Sequence, residues 1–232
     1  MKYFSFFIFV LFQSTLVAQP DYKDWDVFLK NYVSTKGEVN YKAIKANKAS
    51  LDKITKELSS TKVVSSWSKD DQLAFWINAY NPFTINLLVE NYPIKSITNL
   101  DGGKTWDVKR ITIDGKKYSL NNIENNIISP QFNDPRIHFA VNCGAVSCPP
   151  LLNEAYMGKT LNAQLEQVTK TFINNKNAQT LTANNITISK IFEWYAADFK
   201  DLIGFLNRYS SIPIQKNAKI NYKDYDWSLN GK

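Results

Sequence analysis

The chain contains very little histidine and cysteine. Its 232 residues include one histidine, His138, and two cysteines, Cys143 and Cys148. All three lie in the segment DPRIHFAVNCGAVSCPP, residues 134–150, so chemistry that needs an imidazole or a thiol is confined to this segment. Glycine and proline are also few, at 8 each, while 44% of the residues are hydrophobic. This composition excludes a disordered or low-complexity chain and indicates a globular protein.

Long hydrophobic runs are missing except at the N-terminus. The apolar stretch from Tyr3 to Val17 follows one lysine and ends at Ala18 before polar residues. It is too short for a confident membrane span and is typical of an export signal. We predict a signal peptide over residues 1–18, a mature domain over residues 19–232 and no stable membrane span after cleavage. No cysteine lies near the end of the run, so we expect a periplasmic or secreted protein without a lipid anchor.

The positive charge is not concentrated in one segment. The formal net charge is +7, but the lysines are scattered along the chain. Nucleic-acid binding requires cations gathered on one face, with aromatic residues between them. We therefore expect no nucleic-acid partner and a solvated basic surface, with weak attraction to anionic envelope polymers as the alternative.

Hydrophobic spacing and capping residues predict several helices and few strands. Ser68 is placed to cap a helix that contains the run FWINAYN, residues 75–81, and Pro82 is predicted to end or kink it. An Asp-Gly pair at residues 114–115 predicts a β-hairpin, and alternating apolar residues predict a strand over residues 136–142. The apolar tail, residues 220–230, is expected to dock on the core. We predict an α+β fold: a single globular domain with several helices packed on a small, largely antiparallel sheet.

Six motifs in order along the mature chain resemble the domain-of-unknown-function 547 family. They are Asn40-Tyr41, FWINAYN, IEN (residues 123–125), DPRIHFAVNCGAVSCPPL, SKIFEWYAADF (residues 189–199) and YDWSLN (residues 225–230). The resemblance carries over eight site residues: Asn78, Tyr80, Asn81, Glu124, His138, Asn142, Cys143 and Cys148. It implies no established reaction. The chain departs from the family pattern at Pro82 and at Asn125, where the family often has histidine.

The motif residues suggest a thiol-dependent hydrolase or acyl transferase acting on an amide or ester. Cys143 would be the nucleophile, His138 the base and later the acid, and Glu124 or Asn142 the group that orients the base. Backbone amides around Gly144, with Asn78 or Asn81, would stabilise an oxyanion. Tyr80, Asn142 and Cys148, with Asn78 and Asn81, would complete the substrate site. On a straight strand Cys143 and His138 face opposite sides, so this pairing requires a bend at residues 142–144.

Other interpretations of the same residues remain open. The two cysteines can form a disulfide, and the protein would then be a non-enzymatic envelope binding or structural protein with a pocket there. Zinc binding and a redox pair are disfavoured because a Cys-x-x-Cys spacing is missing, so we expect no metal and no cofactor. Glu124 could be a surface acid or a buried partner of Arg136. A set of aromatic residues is expected in the core rather than in a sugar-stacking platform: Trp76, Trp194, Tyr195 and Trp227. The substrate is not identified, although an envelope component is one candidate.

Overall fold

The structure is a computed structural model that describes residues 19–231, so the predicted signal peptide lies outside the described residues. The described chain has the α+β fold that the sequence predicts, with more helix than strand. No helix within it is both long and apolar enough to cross a membrane. Its helices and strands are α1 (Lys23–Tyr32), α2 (Tyr41–Ala46), α3 (Ala49–Ser60), α4 (Lys69–Glu90), β1 (Ile111–Ile113), β2 (Lys116–Tyr118), α5 (Ser129–Phe132), α6 (Leu161–Ile173), β3 (Thr180–Leu181), β4 (Asn185–Ile188), α7 (Ile191–Trp194), α8 (Leu202–Tyr209) and β5 (Lys219–Tyr222).

These strands form two small sheets rather than the one predicted. Strands β1 and β2 make the predicted antiparallel hairpin, and its turn residues Asp114 and Gly115 have φ angles of 48° and 71°. Positive φ at both positions is what an Asp-Gly turn of this kind requires. In the second sheet β4 lies in the middle, antiparallel to β3 and parallel to β5. The two sheets together contain three strand pairings, and two of these are antiparallel, in line with the predicted largely antiparallel arrangement.

Helix α4 lies in the centre of the fold. Ser68 caps it as predicted, because its Oγ accepts a hydrogen bond from the Asp71 amide at 3.1 Å. Of the two outcomes predicted at Pro82, an end or a kink of the helix, the end is wrong, since α4 continues to Glu90. Every residue from 73 to 82 is buried. The favourable free energy of packing on all sides of this segment therefore outweighs the cost of the hydrogen bond that proline cannot donate.

Residues 135–139 form a 3₁₀-helix and not the predicted strand. Asp134 begins it, because Oδ1 accepts from the Arg136 amide at 3.0 Å, and Pro135 supplies a helical φ at the first position. Ile137, His138 and Phe139 are all buried, so alternation of apolar residues carried no information about which face was exposed. His138 and Cys143 therefore do not face opposite sides of a strand, as the sequence predicts for a straight one.

Two clusters of buried apolar side chains make up the core. The larger one joins α1 to α4 and the hairpin, and the smaller one surrounds β4, α7 and α8. The 3₁₀-helix connects them, because Ile137 belongs to the larger cluster and Phe139 to the smaller one. His138 thus sits at the junction of the two clusters.

The C-terminal tail docks on the core as expected. Its backbone pairs with the cysteine loop: the Val146 amide donates to the Ser228 carbonyl at 2.8 Å and the Asn230 amide donates to the Gly144 carbonyl at 2.9 Å. Trp227 and Leu229 pack against the larger cluster. The tail therefore fixes the position of the loop that carries both cysteines.

Candidate active site

A cavity of about 320 Å³ takes its lining from both core clusters. Five of the eight sequence-predicted site residues line it: Tyr80, Glu124, His138, Cys143 and Cys148. Much of the remaining wall is aromatic and comes from Trp106, Trp194, Tyr195, Tyr225 and Trp227. The fold therefore brings the predicted catalytic residues to one small cavity that is partly open to solvent.

His138 is buried, and its two ring nitrogens have different surroundings. Nε2 lies 2.7 Å from Oδ2 of Asp198, and we assign a proton to Nε2 because an ionised carboxylate can only accept a hydrogen bond. Nδ1 lies 3.7 Å from Oε1 of Glu124, and no described residue gives it a hydrogen-bond partner. The ring stacks on Tyr195 with centroids 3.8 Å apart. The imidazole is thus held in one orientation, with an unpaired acceptor beside a cavity-lining carboxylate.

Glu124 is a buried carboxylate in the cavity wall. It lies in the π-helix Asn122–Ile128, an irregular helix type that is frequent at functional sites. Its Oε1 accepts a hydrogen bond from the Tyr195 hydroxyl at 2.8 Å. Arg136 pairs instead with Asp134, with Nη2 and Oδ2 2.6 Å apart. The interpretations of Glu124 as a surface acid or as a partner of Arg136 are therefore both wrong.

Three tyrosines of the cavity remain hydrogen-bond donors. Burial raises the pKa of Tyr80, Tyr195 and Tyr225, and the negative charge of Glu124 raises the pKa of each further. Both causes penalise the phenolate form. These hydroxyls therefore keep their protons far above neutral pH.

The two cysteines form a disulfide that lines the cavity. The Cys143 amide donates to Cys148 Sγ at 2.9 Å, and the Tyr225 hydroxyl lies 3.4 Å from Cys143 Sγ. Neither nitrogen of His138 forms a hydrogen bond to sulfur, since one faces Asp198 and the other has no partner. A Cys143 thiol would exist only after reduction. Within residues 19–231, no group of three or more His, Cys, Asp or Glu side chains is placed to hold a metal ion.

Comparison with known families agrees with the motifs. Residues 64–173 match the profile of the family described as "Protein of unknown function, DUF547". The chain contains a DUF547 domain. No curated protein and no solved structure matches the chain.

Within the DUF547 domain, three predicted substrate-binding asparagines hold the backbone. Asn81 clamps residues 140–142: its Nδ2 donates to the Ala140 carbonyl at 3.0 Å, and its Oδ1 accepts from the Asn142 amide at 2.9 Å. Asn142 accepts from the Gly144 amide at 2.8 Å. Asn78 pairs in the same way with the backbone of Tyr156. The donors expected to stabilise an oxyanion are therefore occupied within the chain.

The site also contains residues that sequence reasoning missed, and these lie C-terminal to the match with the DUF547 profile. Asp198 orients His138, Tyr195 donates to Glu124, and Tyr225 contacts the disulfide. Asp198 and Tyr195 lie in the motif SKIFEWYAADF, and Tyr225 lies in YDWSLN. Both motifs contribute to the family resemblance, but no site residue was predicted from them. Of the aromatic residues expected in the core, Trp76 is buried there, whereas Trp194, Tyr195 and Trp227 line the cavity.

Proposed function

We propose that the cavity is the active site of a hydrolase or acyl transferase in which His138 carries the proton. The observation that supports this most is the state of the imidazole, with Nε2 held by Asp198 and Nδ1 unpaired near Glu124. A buried ring in this arrangement accepts a proton from a nucleophile bound in the cavity. The two flanking carboxylates then stabilise the imidazolium that forms, and the ring returns its proton to the leaving group.

Tyr225 is the best available donor for the oxyanion in this proposal. The asparagines and the Gly144 amide are occupied, whereas the contact of the Tyr225 hydroxyl is the long one to Cys143 Sγ. Its raised pKa keeps it protonated, so it can donate to an oxygen that gains negative charge.

The nucleophile is water in the oxidised protein and Cys143 in the reduced protein. Water serves because the disulfide leaves no free thiol among the described residues. Cys143 is the second candidate nucleophile, and the position of both sulfurs in the same cavity as His138 and Glu124 supports it. In that case His138 takes the thiol proton and the thiolate attacks the carbonyl carbon. The tetrahedral intermediate expels the alcohol or amine, which takes the proton from His138, and the acyl group on Cys143 then passes to water or an acceptor, which restores the thiol.

The test is hydrolysis of 4-nitrophenyl acetate and of a matched anilide by the oxidised and the reduced protein. His138→Gln should lower kcat/KM by about 100-fold or more, the usual contribution of a general acid–base group. Glu124→Gln should also lower it, whereas Glu193→Gln, at an exposed position, serves as the matched control and should have no effect.

The cysteine variant Cys143→Ala/Cys148→Ala separates the two nucleophiles. Full activity of this variant supports water, and activity that requires both reductant and Cys143 supports the thiol. Turnover that does not depend on His138 would contradict the proposal. Stable ligand binding without any turnover would favour the alternative, a non-enzymatic envelope protein with a binding pocket.

We also propose that the protein is exported to the periplasm or secreted. The sequence of residues 1–18 supports export, and a disulfide is typical of oxidising compartments. Fractionation followed by intact-mass measurement tests this: the mature form should begin at Gln19 and lack two hydrogens relative to the dithiol. Retention of residues 1–18 in a cytoplasmic fraction would contradict it.

A further inference from the structure

Four aromatic side chains form a continuous wall of the cavity. Trp194 and Trp227 are stacked, with centroids 5.8 Å apart and an interplanar angle of 22°. Tyr225 contacts them at centroid distances of 4.8 and 4.6 Å, and Trp106 meets Trp227 edge-on at 5.5 Å. Trp194 is nevertheless 46% exposed. An indole ring that is held by aromatic neighbours and still open to solvent offers an apolar face to a ligand.

The rest of the cavity lining supplies hydrogen-bonding groups. Asn121 and Asp107 are paired at 2.7 Å and line it together with Lys104 and the carboxylate of Glu124. His138 Nδ1, buried and unpaired, is a further acceptor. A ligand that fits this lining needs one apolar face and several hydroxyl or amide groups along its edges.

We infer that the cavity binds a neutral pyranose sugar whose C–H face stacks on the Trp194 and Trp227 wall. The cavity of about 320 Å³ lies at the lower end of the range for small-molecule pockets, which limits the bound part to about one or two rings. Its lining contains only one lysine, balanced by Asp107, and so does not favour a phosphorylated or sulfated sugar. The inference rests on the proposed function: the sugar is the part of the substrate that bears the ester or amide.

Calorimetric titration and saturation-transfer NMR on the mature chain test this inference. The probes are N-acetylglucosamine, its β-1,4-linked disaccharide and cellobiose, with choline as the cationic probe for an aromatic cage. A sugar should bind, and Trp194→Ala should weaken binding by about tenfold or more, as expected when a central aromatic contact is truncated. Trp194→Phe, which keeps a ring, should weaken it less. Tyr222→Ala, an exposed aromatic residue on β5 outside the cavity lining, is the matched control and should leave binding unchanged.

Three outcomes would overturn the inference: no sugar binds, choline binds in place of the sugars, or sugar binding is insensitive to both Trp194 variants in folded protein. If the sugars bind but no variant or condition gives turnover, the proposed catalysis fails and the sugar site stands. If turnover depends on His138 but no sugar binds, the sugar inference fails alone.

Discussion

At the scale of single residues, Asn142 links the candidate site to the rest of the fold. Its Oδ1 accepts from the Gly144 amide at 2.8 Å and from Asn230 Nδ2 at 3.0 Å, and its Nδ2 donates to the Pro149 carbonyl at 2.8 Å. One buried amide therefore joins both ends of the cysteine loop to the C-terminal tail. Because these partners are largely shielded from water, losing the amide leaves polar groups unsatisfied.

Asn142→Ala should lower the free energy of unfolding by about 3 kcal/mol, because it leaves the Gly144 amide and the Pro149 carbonyl without their hydrogen-bond partner. Denaturant unfolding followed by circular dichroism measures this change. Asn125→Ala, at an exposed position, is the matched control and should cost less than about 1 kcal/mol. Equal effects of the two substitutions would show that the Asn142 network does not hold the loop.

Sequence motifs located the reactive side chains but not their partners. His138, Glu124 and Cys143 share a cavity as the motifs suggested, yet Asp198 lies 60 residues from His138 in the chain and Tyr195 lies 71 residues from Glu124. Hydrogen bonds over such separations depend on the tertiary fold, and no local spacing encodes them. The catalytic roles of these residues stay predictions.

At the scale of elements, the loop from Asn142 to Cys148 depends on a glycine conformation. Gly144 has a φ of 81°, and a Cβ atom there would lie 2.3 Å from Leu88 Cδ1 on helix α4. Left-handed backbone disfavours side chains, and the contact with Leu88 adds a steric overlap. A side chain at position 144 therefore requires the buried Leu88 side chain to move.

Gly144→Ala should destabilise the protein by clearly more than Gly115→Ala, which is the matched control. Gly115 has a similar φ of 71°, but no atom lies within 4 Å of the place that a Cβ would take, so it reports the backbone cost alone, about 1–2 kcal/mol. Thermal and denaturant unfolding of both variants give the difference. If the two variants are equally stable, Leu88 does not restrict the loop.

Local rules predicted the cap and the turn correctly, and failed where consecutive residues are buried. The cap at Ser68 and the turn at residues 114–115 involve neighbouring residues and were predicted correctly. Most side chains of helix α4 beyond Pro82 are buried, as are residues 137–139 of the 3₁₀-helix, so hydrophobic periodicity did not distinguish their conformations. These two errors did not change the predicted fold class, because the other helices and strands already make an α+β domain.

At the scale of the whole molecule, both core clusters are rich in buried aromatic residues. Burial raises the pKa of tyrosines across the fold, including Tyr22, Tyr41 and Tyr156 as well as those of the cavity. A tyrosine whose pKa is higher in the folded than in the unfolded state binds its proton more tightly in the folded state. Its contribution to stability is complete below the unfolded pKa of about 10 and is lost as the pH rises above that value.

The free energy of unfolding should therefore fall as the pH rises above about 10, by up to about 1.4 kcal/mol per pH unit for each such tyrosine. Denaturant midpoints across the alkaline range, with tyrosinate absorbance recorded in parallel, measure this. The absorbance of the buried tyrosines should rise together with the loss of circular dichroism. Gradual ionisation of all the tyrosines in a protein that stays folded would contradict the prediction.

The proposed catalysis depends on Asp198, which holds a proton of His138 on Nε2 and leaves Nδ1 as the acceptor beside Glu124. Nitrogen NMR of ¹⁵N-histidine-labelled protein tests it most directly, because the mature chain contains one histidine and gives one pair of ring signals. We expect a proton on Nε2 and, in the neutral form of the ring, none on Nδ1, a preference that Asp198→Asn weakens and the exposed control Asp70→Asn does not. A neutral ring with its proton on Nδ1 would contradict this expectation, as would a mixture of the two tautomers whose populations do not change in Asp198→Asn.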